Sequence, residues 1–323
     1  MSRPALASGH GFAGAVTMLA ALAVASLFVG VGSLSPSDFT RSEGLDLLLA
    51  SRLPRTLAAI LVGSGLAIAG IVMQTLARNR FVEPATAGTA QSAALGILAA
   101  TLIWPEASIA MKAAVASLTA LAGTGLFLLA TRRLPPTQPY LVPLVGLVFG
   151  GIVGAVATVL ALQTGLSQYV DVWTSGELSG ITRGRYELLW LAAGLVALAW
   201  LVADQLTVLS LGEVASRSLG LDYARMMQLG LLIVALVSAL SVVVVGVVPF
   251  VGLVVPALVS RMAGDNLRAT IPLAAIFGAL LVLGCDIAGR LVIHPYEMPV
   301  GTILGIVGAA AFLAVVSRGR PAA

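Results

Sequence analysis

Apolar stretches of about twenty residues recur along this chain from one end to the other, and that recurrence limits the fold more than any motif does. A helix of about twenty residues spans the roughly 30 Å of bilayer hydrocarbon. Ten such segments are legible, at about 12–34, 55–77, 88–104, 109–131, 141–163, 186–204, 226–248, 250–262, 271–290 and 299–317. Composition agrees: 59% of the 323 residues are hydrophobic and 10% are charged, against roughly 25% charged in soluble domains. A β-barrel would instead show short segments of alternating polarity. The expectation is an all-α polytopic membrane protein with about ten transmembrane helices in a single transmembrane domain spanning 1–323. The segment 250–262 is short and follows Pro249, so a full span and a broken helix both stay open there. The first run follows Arg3 and His10, and its apolar core exceeds the roughly 7–15 residues of a signal-peptide core. It is read as the first span.

Orientation follows from the loop cations. With a cytoplasmic N-terminus and ten spans, the inner side holds Arg3, Arg78, Arg80, Arg132, Arg133, Arg217, Arg225, Arg261, Arg268, Arg318 and Arg320. The outer side holds Arg41, Arg52, Arg55, Lys112, Arg183, Arg185 and Arg290. Eleven against seven favours this orientation and puts both termini in the cytoplasm. Arg52, Arg55 and Arg290 are the outer exceptions that stand at span ends. Two explanations stay open from the residues alone. Their long stems snorkel along lipid, or they form a positive docking surface for an acidic partner outside.

Small residues mark helix contacts. Gly146, Gly150 and Gly154 stand four apart in the fifth segment, as do Gly301 and Gly305 in the tenth. Such seams serve internal packing or a subunit interface. In the segment from Met73 to Gly96, Pro84 ends one helix, and Thr86 or Thr89 is placed to cap the next. The stretch LTVLSLGEVASRSLGLDYAR, 206–225, reads as a short amphipathic helix, a glycine break and then the next span. It suits contact with a soluble cytoplasmic partner.

The chemistry-bearing patterns are mostly missing. A P-loop needs a lysine in its glycine-rich turn, and the single lysine, Lys112, sits in SIAMKAAV. There is no H-E-x-x-H and no G-x-S-x-G. His10 and His294 are far apart, and Cys285 stands alone, so no metal spacing exists. Asp286 and Arg290 form an i,i+4 pair. Glu83, Asp204, Glu213, Asp222 and Asp265 fall in or near cytoplasmic loops. A proton- or sodium-driven carrier needs ionisable groups near the midplane, and none is evident. An integral membrane enzyme lacks its catalytic set.

Several stretches together resemble a known family: RLPRTLAAILVGSGLAIAGIVMQ, NRFVEPATAGTAQSAALG, LSLGEVASRSLG, VVGVVPFVGLVVPALVSRMAGDNLR, CDIAGRL and YEMPVGTILGIVGA. They are similar, in order and over nearly the whole chain, to permeases of bacterial iron-siderophore, haem and cobalamin ABC importers. The resemblance implies a ten-helix permease subunit of the bacterial cytoplasmic (inner) membrane, working by alternating access. Its partners would be a second permease subunit (homo- or heterodimer), cytoplasmic ABC ATPase subunits and an extracytoplasmic siderophore-binding protein. No cofactor is expected in this chain, since ATP and Mg would be bound by the ATPase; no nucleic acid is implied. By the same resemblance, Arg52, Arg55 and Arg290 match the binding-protein docking positions. Glu213, Arg217, Gly220 and Asp265 fall in the ATPase-coupling element, and Gly146, Gly150, Gly154, Gly301 and Gly305 on the passage and dimer seam. Pro256-Ala257 departs from the Pro-His of many members. With GDNLR and HPYEMPVG, it is similar to the branch for siderophores such as petrobactin, vibriobactin or anguibactin. Haem or cobalamin transport and a stand-alone secondary transporter are the alternatives.

Overall fold

The computed structural model describes residues 9–30, 42–132, 134, 135, 138 and 140–317. Arg3, Arg41, Arg133, Arg318, Arg320 and the end of the first apolar segment lie outside them. Among the described residues there are only helices and connectors. Helix α1 is Gly9–Phe28, and α2, Ser42–Leu47, runs through a π-helical turn, Leu48–Arg52, into α3, Leu53–Ala77. Then come α4 (Thr89–Ile103), α5 (Ile109–Thr131), α6 (Leu141–Thr164), α7 (Ser167–Ser175), α8 (Leu189–Leu201) and α9 (Ala203–Leu209). The chain closes with α10 (Glu213–Ser218), α11 (Tyr223–Val244), α12 (Val251–Ala263), α13 (Leu267–Leu291) and α14 (Val300–Ser317).

Every expected apolar segment coincides with a helix, but the helices are unequal. Six are long and apolar enough to cross a bilayer, and α8 with α9, bent by 66°, makes a seventh if counted as one span. Helices α4, α12 and α14 are shorter. The stretch 206–219 forms α9 and α10, separated at Gly212 and closed at Gly220, where φ is +82°.

Helix α3 sits at the centre, packed against α13, α11, α12 and α8. In lipid, apolar surface gains little by leaving one apolar phase for another, so helices associate through close packing and polar contacts. The sequence of α3 supplies both. A side-chain carbon at Gly63 would run into the backbone of Gly278 on α13, and one at Gly70 into the backbone of Gly252 on α12. The two backbones therefore touch without side chains between them. Ser64 adds a hydroxyl donated to the Ala275 carbonyl at 2.9 Å.

Prolines explain several breaks. A proline inside a helix lacks the N–H that would bond the carbonyl four residues back. In hydrocarbon that freed carbonyl needs another donor. Pro54 frees the carbonyl of Ala50, which accepts from the Arg183 N–H at 3.0 Å. Pro256 frees Gly252, which accepts from Gln74 Nε2 at 3.2 Å. Pro272 frees Arg268, which accepts from the Trp200 indole at 3.3 Å. Each break is thereby joined to a different part of the chain.

Candidate functional site

The polar residues gather at the two ends of the bundle and at one point between. At one end, α1, α3 and α13 meet over a charge network. Arg55 donates to Asp286 Oδ1 from Nη2 at 2.7 Å and from Nε at 3.1 Å, and to Glu297 Oε2 from Nη1 at 2.6 Å. Arg290 pairs with the other Asp286 oxygen, Oδ2. It also donates to the carbonyls of Ser26 and Val29 at 2.9 and 2.8 Å, and to Ser26 Oγ at 3.0 Å. The Ser26 and Thr56 hydroxyls share a hydrogen bond at 2.9 Å, and Thr56 donates to the Arg52 carbonyl. Arg52 reaches the Val29 carbonyl, which ties the π turn to α1.

Arg52 and Arg55 are 7% exposed, Arg290 is 1% and Asp286 is 2%. The side chains turn inward onto Asp286, Glu297 and the end of α1 and are not extended along lipid. The physical reason is the carboxylate. An i,i+4 pair on α13 offers Asp286 to α3 as well, and a second guanidinium then completes its hydrogen bonding. Among the described side chains, Asp286 is shared by Arg55 and Arg290, and Glu297 takes a second side of Arg55.

At the opposite end three connectors converge. Arg80 pairs with Asp265 at 2.8 Å, both well exposed. Arg78, in a left-handed conformation at the end of α3, lays its guanidinium against Gly212. The Leu267 N–H donates to Thr207 Oγ1 at 3.3 Å. Arg268 stacks over the Trp200 ring at 4.7 Å from its centroid and donates to the Trp200 carbonyl at 2.9 Å. Glu213 and Arg217 form an exposed i,i+4 pair on α10 at 2.7 Å. A cavity of about 720 Å3 opens here between α3, α12, α13 and α14, lined among others by Gln74, Arg78, Arg80, Pro256, Arg261 and Asp265. The structure thus brings Asp265 to the same end as α10, through the contact of 207 with 267. Gly220 faces open space.

Between the two ends lies Glu83, expected in or near a cytoplasmic loop and found buried in the bundle. Glu83 is 2% exposed. Its Oε1 accepts from the Phe250 N–H at 2.9 Å, and the backbones of Gly252 and Leu253 also bond to it. Glu83 therefore caps the start of α12, where the helix dipole favours a negative charge. Phe250 packs against Gly308, eight residues into α14 and so about 12 Å along that helix from its N-terminal end. Phe250 itself holds φ at +67°, a strained conformation for a bulky residue. Beside it, Ser238 Oγ is buried without a partner.

The glycine seam is internal where it is tightest. A side-chain carbon at Gly146 would lie 3.1 Å from the Phe127 ring and hard against the Thr86 carbonyl, and one at Gly150 would lie 3.3 Å from Gly88. Gly154 packs more loosely over Gln91. Gly301 abuts the Ser175 and Val247 carbonyls, and only Gly305 faces open space. The opposite face of α6, with Val148, Ile152 and Val159, is exposed. Neither threonine caps α4. Gly88 occupies the cap position, Thr86 closes a turn onto Glu83, and Thr89 bonds Thr124 at 2.7 Å.

Sequence reasoning missed Gln74 and Ser26 and misplaced Glu83. Gln74 is a lone amide near the end of an apolar run, which is a signal in itself, but its acceptor lies 178 positions along the chain. His294 is exposed and Cys285 is buried, as expected of a loop residue and a packing residue. Among the described residues no group of three His, Cys, Asp or Glu could hold a metal.

A bundle of buried, small-residue helices with charge confined to its ends and one carboxylate at depth is the architecture of a multi-pass membrane transport protein. The sequence comparison makes the family definite: residues 18–318 match the model of the FecCD transport family, and the chain belongs to it. The petrobactin import system permease protein YclN of Bacillus subtilis is 43% identical over 303 residues, covering 93% of this chain and 96% of that protein. The ferric-anguibactin transport system permease protein FatD of Vibrio anguillarum is 38% identical, covering 93% and 96%. A solved metal-chelate type ABC transporter in an inward-facing conformation superposes with a TM-score of 0.81 at 24% identity, over 95% of this chain and 98% of that one. That likeness concerns the fold.

Proposed function

We propose that this chain is the permease subunit of an ABC importer that carries a ferric siderophore across the bacterial cytoplasmic membrane by alternating access. The observation that carries the reading is similarity along the whole chain, at 43% and 38% identity, to permeases named for petrobactin and anguibactin. The siderophore class comes from those relatives. Haem, cobalamin and a stand-alone carrier have less behind them. In this reading both termini are cytoplasmic and ten helices cross the membrane, α4, α12 and α14 as short ones.

The mechanism follows from the two ends. A separate ATPase binds ATP and Mg, and its closure presses on the inner connectors. Glu213, Arg217 and Gly220 on and after α10, and Asp265 between α12 and α13, take up that force. Arg78 passes it from Gly212 to α3, and the Thr207–Leu267 contact passes it to α13. The chain does no bond chemistry. At the outer end the cluster of Arg52, Arg55 and Arg290 meets an acidic binding protein. Carboxylates of the binding protein replace Asp286 or Glu297 as partners of Arg55 and Arg290 when the lobes dock. A second permease subunit packs on the exposed face of α6 and near Gly305 of α14.

The test is extraction in mild detergent with identification of what copurifies, followed by uptake in proteoliposomes. A stoichiometric ATPase and ATP-dependent uptake of a ferric siderophore are expected. A protein that runs alone and transports on an ion gradient would overturn the reading.

A further inference from the structure

We propose that the outer end carries a binding site for the phosphate headgroup of an anionic phospholipid, built around Lys112. The site is a groove of about 420 Å3 between α4, α5, α7 and α11. Its polar lining is Thr101, Lys112, Gln168 and Arg185. Its remaining walls are apolar: Ile97, Ile109, Val172, Val243, Val244 and the Trp173 side chain. Among the described residues no carboxylate lines it.

Three features choose the ligand. The first is charge. Two cations line one groove, and neither is ion-paired to a carboxylate among the described residues; Lys112 donates to the Pro105 carbonyl at 3.5 Å. The second is position. Ser108 caps α5 by accepting from the Met111 N–H at 3.2 Å, so Lys112 stands in the first turn of a 23-residue helix. A cation there adds to the positive end of the helix dipole instead of offsetting it. An anion in the groove answers the lysine, the arginine and the helix end together. The third is the mixture of walls. A soluble anion would satisfy the cations but leave the apolar side covered by nothing. A phospholipid supplies phosphate to Lys112 and Arg185 and acyl chain to Ile109 and Val172, which are exposed. Met111, Leu118, Leu126 and Leu129 continue the exposed apolar stripe down α5, so the chains have a surface to follow. Basic pockets between transmembrane helices bind lipid headgroups on the same principle.

The single lysine makes the test direct. The full-length protein is placed in bilayer discs of phosphatidylcholine, alone or with phosphatidylglycerol of the same chains, and Lys112 is labelled with an amine-selective reagent and mapped by peptide mass. Phosphatidylglycerol at ten times its dissociation constant should slow labelling about tenfold by occupancy. Native mass spectrometry should show phosphatidylglycerol retained by the wild type and lost from Lys112→Gln/Arg185→Gln, with thermal midpoints in phosphatidylcholine unchanged. Equal labelling in the two lipids would overturn the proposal, and this arm needs no variant to fold. Protection by inorganic phosphate alone would also overturn it, because a free anion would then be the ligand. Protection that appears only when an acidic protein is added would assign the groove to protein contact and sink the lipid site.

Discussion

Asp286 is the residue whose loss the structure makes most expensive. It is 2% exposed and accepts from both Arg55 and Arg290. Replacing it by alanine removes the carboxylate that Arg55 and Arg290 share and leaves Arg55 with Glu297. Two opposite charges about 4 Å apart attract by about 4 kcal/mol at an effective dielectric of about 20. Breaking a buried pair by removing one partner costs about 3–5 kcal/mol. Two pairs break here, but Glu297 and entering water relieve part of the strain, so about 3–5 kcal/mol is expected for Asp286→Ala in total. The assay is equilibrium unfolding in one fixed detergent, with Glu213→Ala on the exposed pair of α10 as the internal control at about 0.3–0.5 kcal/mol. The double variant Asp286→Ala/Arg290→Met should recover a large part of the loss, because it removes a stranded cation. A loss below about 1 kcal/mol for Asp286→Ala would show that the pair behaves as a solvated one. No recovery in the double variant would refute the charge argument and leave only a packing defect.

Gln74→Leu should strand the Gly252 carbonyl beside Pro256 and cost about 1–3 kcal/mol; unchanged exchange of the α12 amides would contradict this. Glu83→Leu removes a cap worth about 1–2 kcal/mol, so the Phe250, Gly252 and Leu253 amides should exchange about tenfold faster, with Glu83→Gln intermediate. Equal exchange in all three proteins would mean the carboxylate does not hold α12. Gly146→Val should overpack the contact with Thr86 and Phe127 by about 1–3 kcal/mol, while Gly305→Ala stays within about 0.5 kcal/mol in the isolated subunit. The reverse order of the two in a thermal melt would place the tight seam on α14.

Helix positions were legible because hydropathy alone sets them. The apolar runs at 55–77, 109–131 and 226–248 are long and uninterrupted, and the helices lie within a few residues of them. Helix completeness was less legible. The run at 186–204 becomes two helices bent by 66°, and nothing in its composition announces the bend at Val202. Site residues divide by the range of their contacts. The Asp286–Arg290 pair is local and could be read from an i,i+4 spacing. The addition of Arg55, 231 positions away, could not, and it is what turns an outward arginine inward. Glu83 was misplaced for a related reason. A short polar stretch reads as a cytoplasmic turn, but the connector 78–88 folds back between helices and its carboxylate meets the N–H groups that begin α12. Gly146 and Gly150 mark a close approach on the sequence; only the fold tells that the close neighbour is Gly88 of the same chain.

Much of the structure's specificity lies in one helix turn. The start of α12 is held from three directions: Glu83 accepts from its N–H groups, Gln74 donates to its Gly252 carbonyl, and the backbone of Gly70 lies against it. The residue just before it, Phe250, sits in a left-handed conformation that costs of order 1–3 kcal/mol. Glu83 is 2% exposed, so water does not reach its bonds, whereas Gln74 also borders the cavity. Any motion that frees α12 from α3 must break the Glu83 and Gln74 bonds together, and it releases the strain at Phe250 in the same step. Two arrangements of such a turn are separated by a barrier instead of grading into one another. The far end of the same helix borders the cavity of about 720 Å3 with Arg261, beside the connectors that meet at Thr207 and Leu267. In the proposed transport cycle, a push at those connectors would reach α12 from that far end.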